Sequence, residues 1–157
     1  MPSTAAVKSI LTRVNDYDPI GFAIALHVQF TRPKFLFQSY DRAWLDEYSK
    51  RGMVMRDPTV QWGMANEGWV RWSALDDQGD VLDAAAKHGL RHGIAAAHVN
   101  TDSRSFGSMA SSQAEFDDAA GAGFHEIVKE LHDAASDLSD EDVAKLRRMS
   151  IVGVQVS

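Results

Sequence analysis

Apolar residues recur along this chain with two spacings, one helical and one extended. Apolar positions three or four residues apart, together with capping and stop residues, predict helices over residues 3–15, 41–52, 59–66, 76–88 and 113–136. Alternation and β-branched or aromatic content predict strands over residues 21–30, 35–39, 70–72, 93–99 and 105–111. Two hairpins follow, one around a turn at residues 31–33 and one around a polar turn at residues 100–104.

These elements predict an α/β (α+β) fold, an α/β/α sandwich with a central antiparallel sheet of the kind seen in PAS- and GAF-like sensors. The 157 residues suffice for one domain with one core, which we assign to residues 1–136, followed by a C-terminal tail at residues 137–157. Small side chains in the second hairpin leave room for a cavity beneath one helical layer. They are Ala95, Ala97, Gly107, Ser108 and Ala110.

The segment from Tyr40 to Trp72 carries the most informative chemistry. Tyr40, Trp44 and Tyr48 are four residues apart, so one helix face presents a phenol, an indole N–H and a second phenol. These groups need hydrogen-bond partners when they are buried, and an ordinary core helix would carry Leu, Ile or Val instead. Asp57 adds an acceptor, aimed by the following proline. A partly apolar ligand with an amide and a second carbonyl would satisfy all these groups.

A family resemblance follows from this spacing. Tyr40, Trp44, Tyr48, Asp57 with its proline, and Trp72, followed by the sequence GLRHG at residues 89–93, resemble the autoinducer-binding domain of LuxR-type quorum-sensing regulators. The similarity extends over residues 5–136. The resemblance implies the same sandwich fold and an N-acyl-homoserine lactone as ligand, with no cofactor.

The resemblance also implies roles for individual residues. The tryptophan matching Trp44 donates to the lactone carbonyl, the aspartate matching Asp57 accepts from the amide N–H, and the tyrosine matching Tyr40 donates to the amide carbonyl. Aromatic residues at the positions of Tyr48 and Trp72 wall the acyl chain and lactone ring. Thr59 and Ser108 match positions that, in some members, add hydroxyls near the amide and the 3-position of the ligand.

Composition restricts the partners of this chain. Its net charge of -6 argues against a nucleic-acid surface, which needs clustered Lys and Arg. It has no cysteine, which fits a reducing cytoplasm, and no segment resembles a membrane span or a signal sequence. We therefore expect a cytoplasmic receptor that contacts no membrane.

The tail departs from the family pattern. Residues 138–149 resemble the opening helix of a helix-turn-helix domain, capped by Ser139 or Asp140, and the sequence ends at Ser157. We therefore expect DNA to be bound only through a domain that this chain does not contain. Two interpretations stay open: the ligand-binding portion of a longer regulator, or a short receptor or decoy that forms homodimers or heterodimers with related regulators.

Other functions fit the sequence less well. Each aromatic residue of the segment could instead be an ordinary core residue, and Asp57 a turn residue, in a PAS/GAF-like module for another small molecule or a protein partner. A hydrolase would need His98 or another base beside Ser108, and no nucleophile motif is present, so we predict no catalytic residue. We also predict no metal site, because Gly89 separates His88 from His92 and breaks their common helix face.

Asp57 leads to a further hypothesis about stability. If its carboxylate is buried without a partner when no ligand is bound, the ligand-free protein should be weakly stable and the ligand should raise its Tm.

Overall fold

The computed structural model describes residues 4–29, 32–148 and 154–157, and its centre is one antiparallel sheet. The strands are β1 (Gly21–Val28), β2 (Phe35–Gln38), β3 (Gly68–Arg71), β4 (His92–Asn100), β5 (Ser103–Ser111) and β6 (Gln155–Val156). The helices are α1 (Thr4–Thr12), α2 (Arg42–Lys50), α3 (Pro58–Ala65), α4 (Val81–Ala86), α5 (Asp118–Ser136) and α6 (Asp140–Arg148). The sheet has the order β3-β4-β5-β1-β2-β6, and both predicted hairpins, β1–β2 and β4–β5, are present in it.

One face of the sheet carries the main hydrophobic core. Helices α1 and α5 pack there, and Leu11, Phe124 and Leu131 are almost completely buried against the sheet. Strand β2 shows how alternation divides its side chains between the two faces. Phe35 and Phe37 enter this core, whereas the residues between and after them point to the other face.

The second face lies under α2, α3 and α4, so the predicted α/β/α sandwich is confirmed. A smaller core of Trp44, Met53, Trp72 and Val81 forms there with small residues of β4 and β5. The helix boundaries follow from capping. Asp41 accepts a hydrogen bond from the backbone N–H of Ala43 at the start of α2, and Asp57 caps α3 in the same way.

Two helices are shorter than the sequence predicts. The α4 prediction began at Asp76, but the Asp77 carboxylate accepts hydrogen bonds from the N–H groups of Val81 and Asp83, so the helix begins only after this turn. The α5 prediction began at Gln113. The observed helix α5 begins after Asp117, whose side chain caps it by accepting a hydrogen bond from the N–H of Ala120. In both cases the apolar spacing extends further toward the N-terminus than the helix does. Local hydrogen bonds of Asp77 and Asp117 determine where the helices begin.

The tail packs onto the domain. Ser139 and Asp142 cap α6 reciprocally, as the sequence predicted for Ser139, and Leu146 is fully buried in the main core. Strand β6 pairs with β2, and the backbone of Ser157 exchanges two hydrogen bonds with Leu36. Parts of three predictions lie outside the described residues: the start of the first helix, the turn near residues 30–31, and the end of the last helix.

Candidate ligand-binding pocket

A mostly apolar cavity of about 210 Å³ lies between the second face of the sheet and helices α2, α3 and α4. All seven side chains predicted for the site line it. They are Tyr40, Trp44, Tyr48, Asp57, Thr59, Trp72 and Ser108. These residues come from four separate parts of the chain, 40–48, 57–59, 72 and 108, and the fold brings them to one space.

Asp57 is the acidic centre of the cavity. Its side chain is only 8% exposed, and it accepts three hydrogen bonds. Oδ1 accepts from the backbone N–H of Thr59 at 2.8 Å and from its hydroxyl at 2.7 Å, while Oδ2 accepts from the Tyr48 hydroxyl at 2.8 Å. The condition of the stability hypothesis is therefore not met, because the carboxylate has protein partners. Oδ2 has only one of them and keeps capacity for another donor.

The two tyrosines act as hydrogen-bond donors at neutral pH. Burial, followed by the charge of Asp57, raises the pKa of Tyr40 and of Tyr48 well above the usual range for a phenol. The Tyr40 hydroxyl has only a 3.5 Å contact with the carbonyl oxygen of Ser108, which is long for a hydrogen bond. Its proton is therefore available to a better acceptor in the cavity.

Trp44 is 5% exposed, and its ring is held between neighbours. It meets Tyr48 edge-on at 5.6 Å between ring centroids and lies 5.4 Å from the ring of His88, which bonds Glu47 at 2.9 Å. Its indole N–H makes no hydrogen bond to any of the described residues. A donor in an apolar cavity that lacks a protein partner is a candidate contact for a ligand oxygen.

Trp72 and Ser108 form the opposite wall. The indole N–H of Trp72 donates to Ser108 Oγ at 3.2 Å, and both residues are buried. Gly93 makes this position possible, because a Cβ at Gly93 would overlap the Trp72 indole ring. The sequence marked Gly93 as part of the GLRHG motif, and its contact with Trp72 gives the physical reason.

The floor of the cavity differs partly from the prediction. Gly107 and Ser108 line it as expected, but the other three small residues of the second hairpin do not. Of these, Ala95 and Ala110 pack in the smaller core around Trp72 instead. The missing floor comes from Ala23 and Ala25 of β1, with Leu36 and Gln38 of β2 beside them. Alternation in the first hairpin was the signal that could have identified these positions.

His98 and His132 lie on the other side of the sheet from this cavity. His132 is fully buried under the other face of the sheet, and both of its ring nitrogens are hydrogen-bonded at 2.6 Å, Nδ1 to Ser105 Oγ and Nε2 to Asn100 Oδ1. His98 pairs in register with Ser105 and contacts the His132 ring, so it faces away from Ser108. It therefore cannot serve as a base for Ser108.

One cluster of side chains has the residue types that bind cations. His98, His132 and Asp133 are the described residues whose ligand atoms come within 4.8 Å of one another. A cation there would have to replace hydrogen bonds that His132 already makes. His88 and His92, four residues apart in sequence, have different partners, Glu47 and Glu115. These contacts favour structural roles for the histidines.

A mainly apolar cavity with a few converging polar groups, placed between a sheet and helices, is typical of a small-molecule-binding domain. A family model for the autoinducer-binding domain matches residues 10–135. The chain therefore belongs to this family, the autoinducer-binding domains of LuxR-type regulators, which are ligand-binding regulatory domains rather than a family of enzymes.

Known relatives agree with this assignment. The transcriptional activator proteins AhyR of Aeromonas hydrophila and AsaR of Aeromonas salmonicida are each 31% identical over 87 residues, which is 50% of this chain and 34% of the relative. The matched part is thus only about a third of either relative's length. Within the described residues, no helix is both long enough and apolar enough to cross a membrane.

Two solved structures share the fold. SdiA in complex with octanoyl-rac-glycerol has a TM-score of 0.66 at 24% identity, covering 91% of this chain and 63% of that one. The N-acylhomoserine-lactone-dependent LuxR family transcription factor CepR2 from Burkholderia cenocepacia has a TM-score of 0.63 at 19% identity, covering 87% of this chain and 85% of that one.

Proposed function

We propose that this domain is the sensor of a LuxR-type quorum-sensing regulator and that it binds an N-acyl-homoserine lactone in the cavity described above. Two neighbouring features of the cavity carry the proposal. The Trp44 indole N–H has no partner among the described residues, and Asp57 Oδ2 can accept a further hydrogen bond. A lactone carries the complementary pair, a ring carbonyl and an amide N–H.

Each of the seven predicted side chains then has a role. Trp44 donates to the lactone carbonyl, Asp57 Oδ2 accepts from the amide N–H, and Tyr40 exchanges its long contact with Ser108 for the amide carbonyl. Thr59 and Tyr48 act through Asp57, because their donors hold its carboxylate in place. Trp72 walls the ligand and orients Ser108, whose hydroxyl borders the cavity.

Burial of the acyl chain contributes affinity, and the polar contacts fix the orientation of the ligand. The acyl chain removes apolar surface from water at about 25 cal/mol per Å². Each head-group hydrogen bond adds on the order of 1 kcal/mol, and the bond to charged Asp57 adds more. Loss of the Asp57 carboxylate is therefore expected to reduce affinity more than loss of any single neutral donor.

The deciding experiment is a thermal-shift and calorimetric titration of the chain with lactones of different acyl length. We expect saturable stabilisation that depends on chain length and is weakened by Asp57→Asn and by Trp44→Phe. A matched control is Trp69→Phe on β3, which lies outside the cavity and packs against Gly121 of α5. If no lactone binds the folded wild-type chain, the proposal is wrong.

A second candidate ligand is an acyl ester with a free hydroxyl. SdiA, a structural relative, is described in complex with octanoyl-rac-glycerol, and a hydroxyl could donate to Asp57 Oδ2 as an amide does. We include octanoyl-rac-glycerol in the titration. Stabilisation by this ester and by no lactone would favour the broader interpretation of a sensor for acyl compounds.

The rest of the regulator is also part of the proposal. We propose that the domain pairs with a second copy or with a related regulator in the cytoplasm, and that DNA is bound through a domain outside this chain. A decoy that pairs with full-length relatives is the alternative. Size-exclusion chromatography with light scattering, with and without ligand, tests the pairing of two copies, and a monomer under both conditions would contradict that pairing. Mixing with a related regulator in the same measurement tests the second form, and separate elution would contradict it.

A further inference from the structure

The side chain of Gln38 is a polar group in the cavity for which the proposed head-group contacts give no role. Gln38 lies on β2, partly buried, and lines the cavity beside the apolar Leu36. In residues 4–29, 32–148 and 154–157 its side-chain amide has no hydrogen-bond partner. The backbone of Gln38 is engaged in the sheet, so only the side chain is free to meet a ligand.

The pairing of the strands determines where along the cavity Gln38 lies. Ala23 of β1 pairs with Ser108 on one side and with Gln38 on the other, so these three residues form one row across the floor. The Ala23 side chain ends at Cβ and leaves the space above it open. Two strand spacings of about 4.8 Å separate the Gln38 and Ser108 backbones, and the long Gln38 side chain can span part of this gap.

This row lies at the end of the cavity that holds the polar groups. The far end is marked by Val28 and Pro33, with Val28 five residues further along β1, roughly 15 Å away at the usual rise per strand residue. The acyl tail is expected to extend toward that end. Gln38 is therefore placed beside the first carbons of the acyl chain, next to the amide.

We propose that Gln38 recognises an oxygen on the acyl chain close to the amide, so that the preferred ligand is a 3-substituted lactone. The inference rests on the proposed lactone function. Its physical basis is that an unsubstituted chain would cover the Gln38 amide and leave it without a partner, which costs more than a hydrogen bond gains. A site that carries a polar group to meet an oxygen discriminates against the analogue that lacks the oxygen.

The amide of Gln38 can meet either kind of oxygen. Its NH₂ group donates to a 3-oxo carbonyl, and its carbonyl accepts from a 3-hydroxyl. A carboxylate in its place can only accept. Gln38→Glu is therefore expected to lose the 3-oxo ligand and keep the 3-hydroxy ligand, whereas Gln38→Met keeps similar length and loses both polar contacts.

The test is calorimetric titration with N-octanoyl-, N-(3-oxooctanoyl)- and N-(3-hydroxyoctanoyl)-homoserine lactone. We expect the wild-type chain to bind the 3-substituted lactones about tenfold more tightly than the unsubstituted one. Gln38→Met should bring this ratio close to one, and Gln38→Glu should favour the 3-hydroxy over the 3-oxo compound. Gln155→Met is the matched control, because Gln155 pairs with Gln38 in the same row but is exposed and lies outside the cavity.

The outcomes separate the two proposals. Binding of all three lactones with equal affinity by the wild type, or an unchanged ratio in Gln38→Met, overturns the role of Gln38 and leaves the lactone proposal standing. Failure of every lactone to bind the folded wild type overturns both. The ratio of affinities is the readout because a purely structural role of Gln38 would weaken all three ligands equally.

Discussion

The Tyr48 hydroxyl donates to Asp57 Oδ2 at 2.8 Å, across nine residues of sequence and from one helix to the cap of another. With the two bonds from Thr59, this contact holds the carboxylate in the cavity before any ligand arrives. The acceptor of the site is therefore preorganised by the protein, which reduces the ordering cost of ligand binding.

Removing either support of Asp57 should destabilise the ligand-free protein. We expect Tyr48→Phe and Thr59→Val each to lower the free energy of unfolding by about 1–3 kcal/mol, because each leaves a buried charged group short of a donor. Tyr40→Phe is the control, since the Tyr40 hydroxyl makes only a 3.5 Å contact. Urea unfolding without ligand measures all three, and an equal effect of the three substitutions would contradict the assignment.

Gly93 should behave as a positioning residue for Trp72. Gly93→Ala places a methyl group against the Trp72 indole, and we expect a loss of about 1–3 kcal/mol in stability together with weaker ligand binding. In a Trp72→Phe background the smaller ring relieves the overlap, so the added cost of Gly93→Ala should fall. A double-mutant cycle measures this coupling, and strictly additive costs would show that the two residues do not interact.

The buried histidines should make stability depend on pH. Burial, followed by the charges of His27 and His98, lowers the pKa of His132 from its ordinary 6.5 to about 4, while Asp133 acts in the opposite direction. The pKa of His27 is also lowered, chiefly by burial, while its bond to the His132 carbonyl opposes the shift. The folded state therefore favours neutral rings, and Ser105 and Asn100 hold that of His132.

The sign of this dependence follows from proton uptake. Between pH 6.5 and about pH 4 the unfolded chain binds a proton at His132 that the folded protein does not, so stability is present above pH 6.5 and is lost as the pH falls. We expect a loss on the order of 1–3 kcal/mol, measured by urea unfolding. His132→Gln should flatten the profile, and His92→Gln, a partly exposed control, should not. An unchanged profile in His132→Gln would contradict this account.

Helix α6 should contribute to the stability of the domain although it lies beyond the region that matches the family model. Leu146 is fully buried in the main core, and we expect Leu146→Ala to cost about 2–5 kcal/mol. Lys145→Ala, at the exposed neighbouring position, should change stability by less than about 0.5 kcal/mol. Similar unfolding curves for the two variants would mean that α6 is only loosely attached.

Short-range signals account for what could be predicted without a structure. The four-residue spacing of Trp44 and Tyr48 puts them on one face of α2, and Asp41 caps this helix, whereas Tyr40 lies just before the cap. The family resemblance then selected seven residues, and all seven line the cavity. Their roles toward a ligand remain proposals, because spacing identifies side chains and not their partners.

Contacts between residues far apart in the sequence could not be predicted from short-range signals. The bond between Trp72 and Ser108 joins residues 36 apart, and the row that includes Gln38 depends on the register of three strands. Register depends on how whole strands pack, so no local pattern reveals which side chains become neighbours. The same is true of His132, whose sequence position gave no sign of the hydrogen bonds that Ser105 and Asn100 make with it.

The sequence by itself thus determined the kind of fold and some of the helix caps, because these depend on interactions within a few residues, and the family resemblance singled out the aromatic and acidic residues that line the cavity. Only the tertiary structure decided that Asp57 is already paired, that the donor on Trp44 has no partner in the part of the chain that the structure describes, and that α6 joins the core. Each of these depends on which distant groups meet once apolar surfaces are buried, and burial is a property of the whole chain.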